Sequence, residues 1–158
     1  MIPDLIALSG SPWPVLPPGI HPTDLDEIGV RYATNMHRRN LFEGLLLAAT
    51  NLRLAGSQAI YLDGSFVTNK PKPGDYDACF DPRGVVGSAL DPVFHIFKNG
   101  RADQKAKFKG EFFPASTIEG RSGMSFLNFF QNDRYTGQAK GILEIPLPND
   151  PMLLRRTI

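Results

Sequence analysis

Leu62-Asp63-Gly64-Ser65-Phe66-Val67-Thr68-Asn69-Lys70-Pro71-Lys72-Pro73-Gly74-Asp75-Tyr76-Asp77-Ala78-Cys79 is the stretch on which the fold turns. An apolar run ending at Leu62 meets a Gly-Ser turn, a basic loop with two prolines follows, and Asp75-Tyr76-Asp77 opens a second apolar run through Phe80. This pattern predicts a strand over 59–62, a turn and loop, and a second strand over 76–80. Alternate side chains of an extended chain share a face, so Asp75 and Asp77 point the same way. Two carboxylates on one face suit Mg²⁺, a hard cation that takes oxygen ligands and keeps contact with substrate phosphates. A Gly-Ser turn at a strand end lets backbone amides and a hydroxyl approach a phosphate chain, as helix N-termini also do. Asp63 has the opposite parity from Leu62, which places it to orient the turn or to approach a metal.

Working outward, Leu41, Leu45, Ala48, Ala49 and Leu52 keep helical spacing, which predicts the longest helix over 35–55, ended by Gly56. Arg38, Arg39 and Arg53 lie off that stripe. Thr23 and Asp26 resemble a capping box for a shorter helix with Leu25, Ile28 and Tyr32 inward. Five prolines between Ser9 and Pro22 make residues 1–22 an extended segment, with Trp13, Val15 and Leu16 laid across the domain. Downstream, a helix is expected over 85–97 and a strand over 106–113, where Phe108 and Phe112 alternate with Lys107, Lys109, Glu111 and Phe113. Residues 125–131 suit a short helix whose Phe126, Phe129 and Phe130 are expected in the core. A last strand over 141–147 turns Leu143, Ile145 and Leu147 inward, and 148–158 is a tail. The sum is one α+β domain, residues 1–158: a small mixed β-sheet with helices packed on it.

Composition excludes several classes. The 158 residues are enough for one domain with a full core and too few for two ordinary ones. A formal charge of +1 gives no whole-molecule attraction to nucleic acid or an anionic membrane, so any polyanion site must be local. A single cysteine, Cys79, rules out an internal disulfide framework, fits a reducing compartment, and reads as a small buried hydrophobe. No apolar run reaches membrane-spanning length, and Met1–Gly10 lacks the pattern of a signal peptide, so a cytoplasmic protein without membrane contact is expected. His21, His37 and His95 show no metal-ligand spacing; His21 reads as a local hydrogen-bonding residue and His37 as surface.

A third carboxylate on an adjacent strand would complete a two-metal site. Glu111 is the leading candidate because its parity sets it apart from the Phe108/Phe112 core side. Glu144 on the last strand competes with it, and Asp81, next to Pro82 at a strand end, ranks below both. Lys70 and Lys72 lie in the loop between the turn and the carboxylates, placed to neutralise a triphosphate. Lys98, Arg101, Lys105, Lys107 and Lys109 are the densest local positive charge, a track for an RNA backbone or a polyphosphate unless they are an ordinary solvated face.

Gly64-Ser65, a nine-residue spacer and Asp75-Tyr76-Asp77 before an apolar strand resemble the nucleotidyltransferase superfamily of DNA polymerase beta and the minimal nucleotidyltransferases. Leu16-Pro17-Pro18-Gly19-Ile20-His21, the Leu62–Val67 stretch, Pro73 to Asp77, and Lys140-Gly141-Ile142 also resemble a family of small bacterial and phage proteins assigned a nucleotidyltransferase-like fold. The resemblance implies that Asp75, Asp77 and Glu111 hold Mg²⁺ or Mn²⁺, and that Gly64 and Ser65 contact the phosphates of an NTP. The implied reaction moves an NMP from the NTP to an RNA 3′ end or a protein side chain. A toxin–antitoxin or phage-defence setting, with a cognate protein partner, follows by analogy of fold alone. Two departures stand out: Phe66-Val67-Thr68-Asn69 follows the turn where minimal members often carry a small residue and Arg-Gly, and no separate nucleotide-gripping helical domain follows Glu111. The alternative they support is a degenerate relative that binds nucleotide, RNA or a protein partner without chemistry.

Overall fold

A computed structural model describes residues 1–156. Five strands, β1 (Gly19–Pro22), β2 (Ala59–Asp63), β3 (Tyr76–Phe80), β4 (Gly110–Pro114) and β5 (Gly141–Pro146), form one open sheet in the order β1-β5-β2-β3-β4. The central pairs β5–β2 and β2–β3 are antiparallel, while β1 runs parallel to β5 and β4 parallel to β3, so the sheet is mixed. Helices α1 (Leu25–Tyr32), α2 (Met36–Leu54), α3 (Lys98–Phe108), α4 (Phe126–Phe129) and α5 (Pro151–Arg156) complete the architecture. The expected class, a small mixed sheet with helices packed on it, is therefore present.

The main core lies on one face of the sheet. Leu41, Leu45, Ala48, Ala49 and Leu52 of α2 pack with Ile60, Leu62, Ala78, Phe112, Leu143 and Ile145 from four strands. The helical stripe read from the sequence is thus the buried stripe. Asn35 caps α2 through its side chain, which accepts from the Arg38 amide at 2.8 Å. Gly44 is where α3 comes closest: a Cβ there would stand 2.2 Å from the Phe108 carbonyl oxygen, so only glycine permits the approach. Tyr76 fills the centre of the core, its hydroxyl donating to the Phe108 carbonyl at 2.6 Å.

Four expectations about the elements need correction. The cap of α1 is Asp24, one residue later than the Thr23 reading, and it accepts from the Glu27 amide at 2.8 Å. The 85–97 helix is absent: two short 3-10 turns, Gly87–Ala89 and Pro92–His95, stand there, because Pro92 cannot donate within a helix and Asp91 caps the second turn instead. The 106–113 strand is the end of α3 followed by β4, joined at Lys109 in a left-handed conformation (φ 64°). Gln104 and Phe108, one helical turn apart and both buried, explain how a helix face merged with a strand pattern. The outer segments are also more ordered than an extended segment and a tail: residues 19–22 form β1, and α5 packs against α1 with Leu153 buried. Residues 157 and 158 of that tail lie outside the described residues.

Candidate active site

On the face opposite the main core, the register brings three carboxylates into one row. Asp63 of β2 stands directly across from Asp77 of β3, and Asp77 directly across from Glu111 of β4. Asp75 precedes β3 by one residue and joins the group through Lys105, whose ammonium lies 3.0 Å from Glu111 and 4.0 Å from Asp75. At the other end of the row, Lys140 pairs with buried Asp63 at 2.5 Å. β2 leaves the sheet at Gly64, whose φ of 92° disfavours any side chain, and a Cβ there would meet the Asp77 amide at 3.0 Å. Ser65 then opens a short 3-10 turn, Ser65–Val67, so the Gly-Ser turn rests directly against the carboxylate row.

The electrostatics follow from this crowding. Burial, then the charges of Asp63, Asp75 and Glu111, push the Asp77 carboxyl up to about 7. Burial also raises Asp63, with Lys140 opposing it, and raises Asp75, with Lys105 opposing it. Burial pushes the Cys79 thiol, on the same face one step along β3, to about 12, as expected for an unreactive buried hydrophobe.

The loop after the turn is held from behind by the start of α2. Arg38, read from its spacing as off the apolar stripe, is 3% exposed and donates to four carbonyls: Tyr32 at 3.2 Å, Phe66 at 2.8 Å, Thr68 at 2.7 Å and Lys70 at 3.2 Å through Nε. Asn35 donates to the Pro71 carbonyl at 3.0 Å, and His37, read as a surface residue, is half-buried and donates to the Pro73 carbonyl. A loop rich in proline has few backbone donors of its own, so side chains from one helix terminus satisfy its carbonyls and fix its path. His21 bonds locally, to the Pro17 carbonyl at 2.6 Å.

A cleft of about 730 Å³ opens above the row. Asp63, Gly64, Ser65, Lys70, Asp75, Asp77, Glu111 and Lys140 are among the residues that line it. Lys72 is exposed and outside the cleft. Glu144 of β5 is also outside it, paired across the sheet with Tyr61 of β2. Asp81 is occupied at the far end of β3 by Arg83, at 2.8 Å. The basic run does not form one track. Lys105 joins the carboxylates, Lys107 pairs with Asp91, and Arg101 lies over the Phe113 ring at 4.0 Å. Of the phenylalanines assigned to the core, Phe130 is buried in a second small cluster with Cys79, Ala115 and Ile142, Phe126 packs against that cluster and Phe129 is 36% exposed; all three line the cleft.

These features lie in a span of chain with known relatives. The model of a family of unknown function, DUF6932, matches residues 11–146. The chain belongs to the DUF6932 family. The matched span begins at Ser11 and ends with β5, so it contains every residue that lines the cleft. Neither a curated protein nor a solved structure matches this DUF6932 chain.

Asp77, raised first by burial and then by the neighbouring carboxylates, stands among hard oxygen donors whose mutual repulsion a divalent cation relieves. Among the described residues no three His, Cys, Asp or Glu side chains already stand at metal-holding distance, and Lys105 and Lys140 pair with three of the four carboxylates, Asp75, Glu111 and Asp63. The four carboxylates offer oxygen donors of the type that Mg²⁺ takes, and Lys105 and Lys140 are their counter-ions in this structure.

Proposed function

We propose that this DUF6932 chain is a nucleotidyltransferase, moving an NMP from an NTP to a macromolecular hydroxyl. The observation that carries the reading is the row Asp63–Asp77–Glu111, which abuts the Gly64-Ser65 turn in a cleft large enough for a nucleotide. Asp75, Asp77 and Glu111 would hold Mg²⁺ or Mn²⁺, which supplies charge neutralisation for the triphosphate and the leaving pyrophosphate. Gly64 and Ser65 offer a backbone amide and a hydroxyl to the phosphates, and Lys70 adds a cation to the cleft lining. The acceptor oxygen bonds to the α-phosphorus, the bond from that phosphorus to the bridging oxygen breaks, pyrophosphate departs, and Glu111 takes the hydroxyl proton. An RNA 3′ end or a protein side chain is the proposed acceptor, and a phage-defence or toxin–antitoxin setting the proposed context. No helix of the described residues is long and apolar enough to cross a membrane, which fits an acceptor in solution.

The ion pairs of Lys105 and Lys140 favour one second reading, a relative that binds nucleotide without chemistry, because they already neutralise part of the row. Purified protein given Mg²⁺ or Mn²⁺, each α-labelled NTP and total RNA or cell lysate separates the two. Label on an RNA or protein band with wild type, and none with Asp75→Ala/Asp77→Ala, is the expected result. No label from folded wild-type protein with any nucleotide would leave only the binding reading.

A further inference from the structure

The cleft lining is not only polar. Beside the carboxylates and lysines it includes Trp13 from the N-terminal strap, Phe113 of β4, two residues beyond Glu111, Phe126 and Phe129 of α4, and Tyr135. This wall is built, not incidental. The 115–140 excursion between β4 and β5 is tied down by Leu127 N to Ala115 O at 3.2 Å, Phe126 N to Thr117 O at 2.9 Å and Lys140 N to Gln131 O at 3.0 Å. The strap is tied to the same excursion by Ser11 Oγ to Asp133 at 3.3 Å. Phe113 and Phe126 stack at 4.1 Å with planes 21° apart, and Arg101 covers Phe113 at 4.0 Å, so the faces of Phe113 are already filled. Phe129, 36% exposed, meets Phe126 edge-on at 6.4 Å and is not covered by another ring stacked on it. Leaving large rings half-open to water is unfavourable unless something flat covers them.

We infer that the aromatic part of the cleft wall, with Phe129 as its open ring, is the subsite for the nucleobase of the NTP. A ligand that fills this cleft meets the Gly-Ser turn with its lysines and also a set of aromatic rings, so it needs both an anionic part and a flat apolar part. A nucleoside triphosphate has both. The inference rests on the transferase reading for the identity of the phosphate site. In this reading the excursion before β5 and the strap before β1 supply the wall that holds the base. Stacking takes any base, because every base has a π-face, so the subsite is expected to discriminate weakly among the four.

Trp13 is the only tryptophan, so its fluorescence reports occupancy of the wall directly. ATP, GTP, CTP, UTP and inorganic triphosphate are titrated in turn into the full chain with Mg²⁺, with wild type, Phe129→Ala and Phe129→Leu; the leucine variant keeps apolar bulk if alanine perturbs the fold. All four NTPs are expected to quench Trp13 and to bind at least tenfold tighter than inorganic triphosphate. Both substitutions should weaken NTP binding about tenfold and leave triphosphate binding unchanged. Equal affinity for NTP and triphosphate, or no effect of Phe129→Leu, overturns the inference. So does Phe129-dependent quenching by an RNA oligonucleotide but not by NTP, which would give the wall to the acceptor. The labelling assay on the same protein keeps the two proposals apart. Phe129-dependent NTP binding without transfer keeps the base subsite and removes the transferase, and transfer without base-dependent affinity does the reverse.

Discussion

The two faces of the sheet carry the same strands and opposite chemistry. On one face Leu143, Leu62, Ala78 and Phe112 lie side by side across β5, β2, β3 and β4, each no more than 1% exposed. One residue along, on the other face, the row is Asp63, Asp77 and Glu111. A single step of register exchanges a dry core for a line of negative charge, because side chains alternate along a strand. The comparison teaches how a small domain tolerates a crowded acidic site. Three carboxylates in a row repel one another, and the aliphatic and aromatic residues behind them hold the strands in register against that repulsion.

Substitution of paired neighbours gives the largest contrast. Asp77→Asn is expected to lower NMP transfer by three orders of magnitude or more, roughly the 4 kcal/mol of charge stabilisation expected from one metal-holding group. Its melting temperature should not fall, since the change removes a charge from a repelling row. Phe112→Ala, on the opposite face, should instead lower unfolding free energy by about 3–5 kcal/mol, with transfer per folded molecule retained. Loss of the fold in Asp77→Asn would assign that residue to structure and remove the distinction between the faces.

Arg38 sharpens the comparison from a third direction, since it serves the site from the core side. Arg38→Met leaves the carbonyls of Phe66, Thr68 and Lys70 without their donor, for an expected loss of about 2–3 kcal/mol. Amide exchange should rise first across 66–73, before the strands on either side. Arg38→Lys should recover only part, because one ammonium cannot span the carbonyls that a guanidinium fork reaches. Unchanged exchange in that loop would show that Asn35 and His37 hold it by themselves.

Much of this site is legible from local pattern, and the remainder depends on pairing. The strands at 59–62 and 76–80, the shared side of Asp75 and Asp77, and the separation of Glu111 from Phe112 all follow from alternation alone. Lys140 could not be matched to Asp63 without the register of β5 on β2, which joins residues about 80 positions apart in sequence and leaves no local trace. Lys105 escaped because Ala106 to Phe113 alternates across a helix end and a strand start as if it were one strand. Arg38 escaped for a different reason: counting apolar positions puts any charged residue outside. The available signal was the run of prolines in the loop it serves, whose carbonyls need donors from elsewhere. Of the three phenylalanines expected in the core, Phe130 and Phe126 pack there and Phe129 does not, because three phenylalanines in five residues look alike whether they fill a core or face a cleft.

The weakest and most specific way to test the two-face contrast is pH. An unfolded Asp titrates near 3.9 and Asp77 in the folded, ion-free protein near 7, so the native state holds a proton that the unfolded chain has lost throughout that window. Stability from this group is therefore complete below about pH 4 and disappears as pH rises through about 7. Asp63 and Asp75, also raised by burial, act in the same direction, whereas Asp81 and Asp91, lowered by Arg83 and Lys107, act in the opposite sense and in more acidic solution. Urea unfolding in EDTA should show the wild type losing about 1–2 kcal/mol relative to Asp77→Asn between pH 5 and pH 8, below the ceiling of about 1.4 kcal/mol per pH unit that one proton allows. Parallel curves for the two proteins would mean that Lys105 and Lys140 already balance the row. The apolar face, whose tyrosines Tyr32 and Tyr76 are raised by burial and stay neutral between pH 5 and pH 8, would then set stability by itself, and the repulsion assigned to the acidic face would have no measurable consequence for the fold.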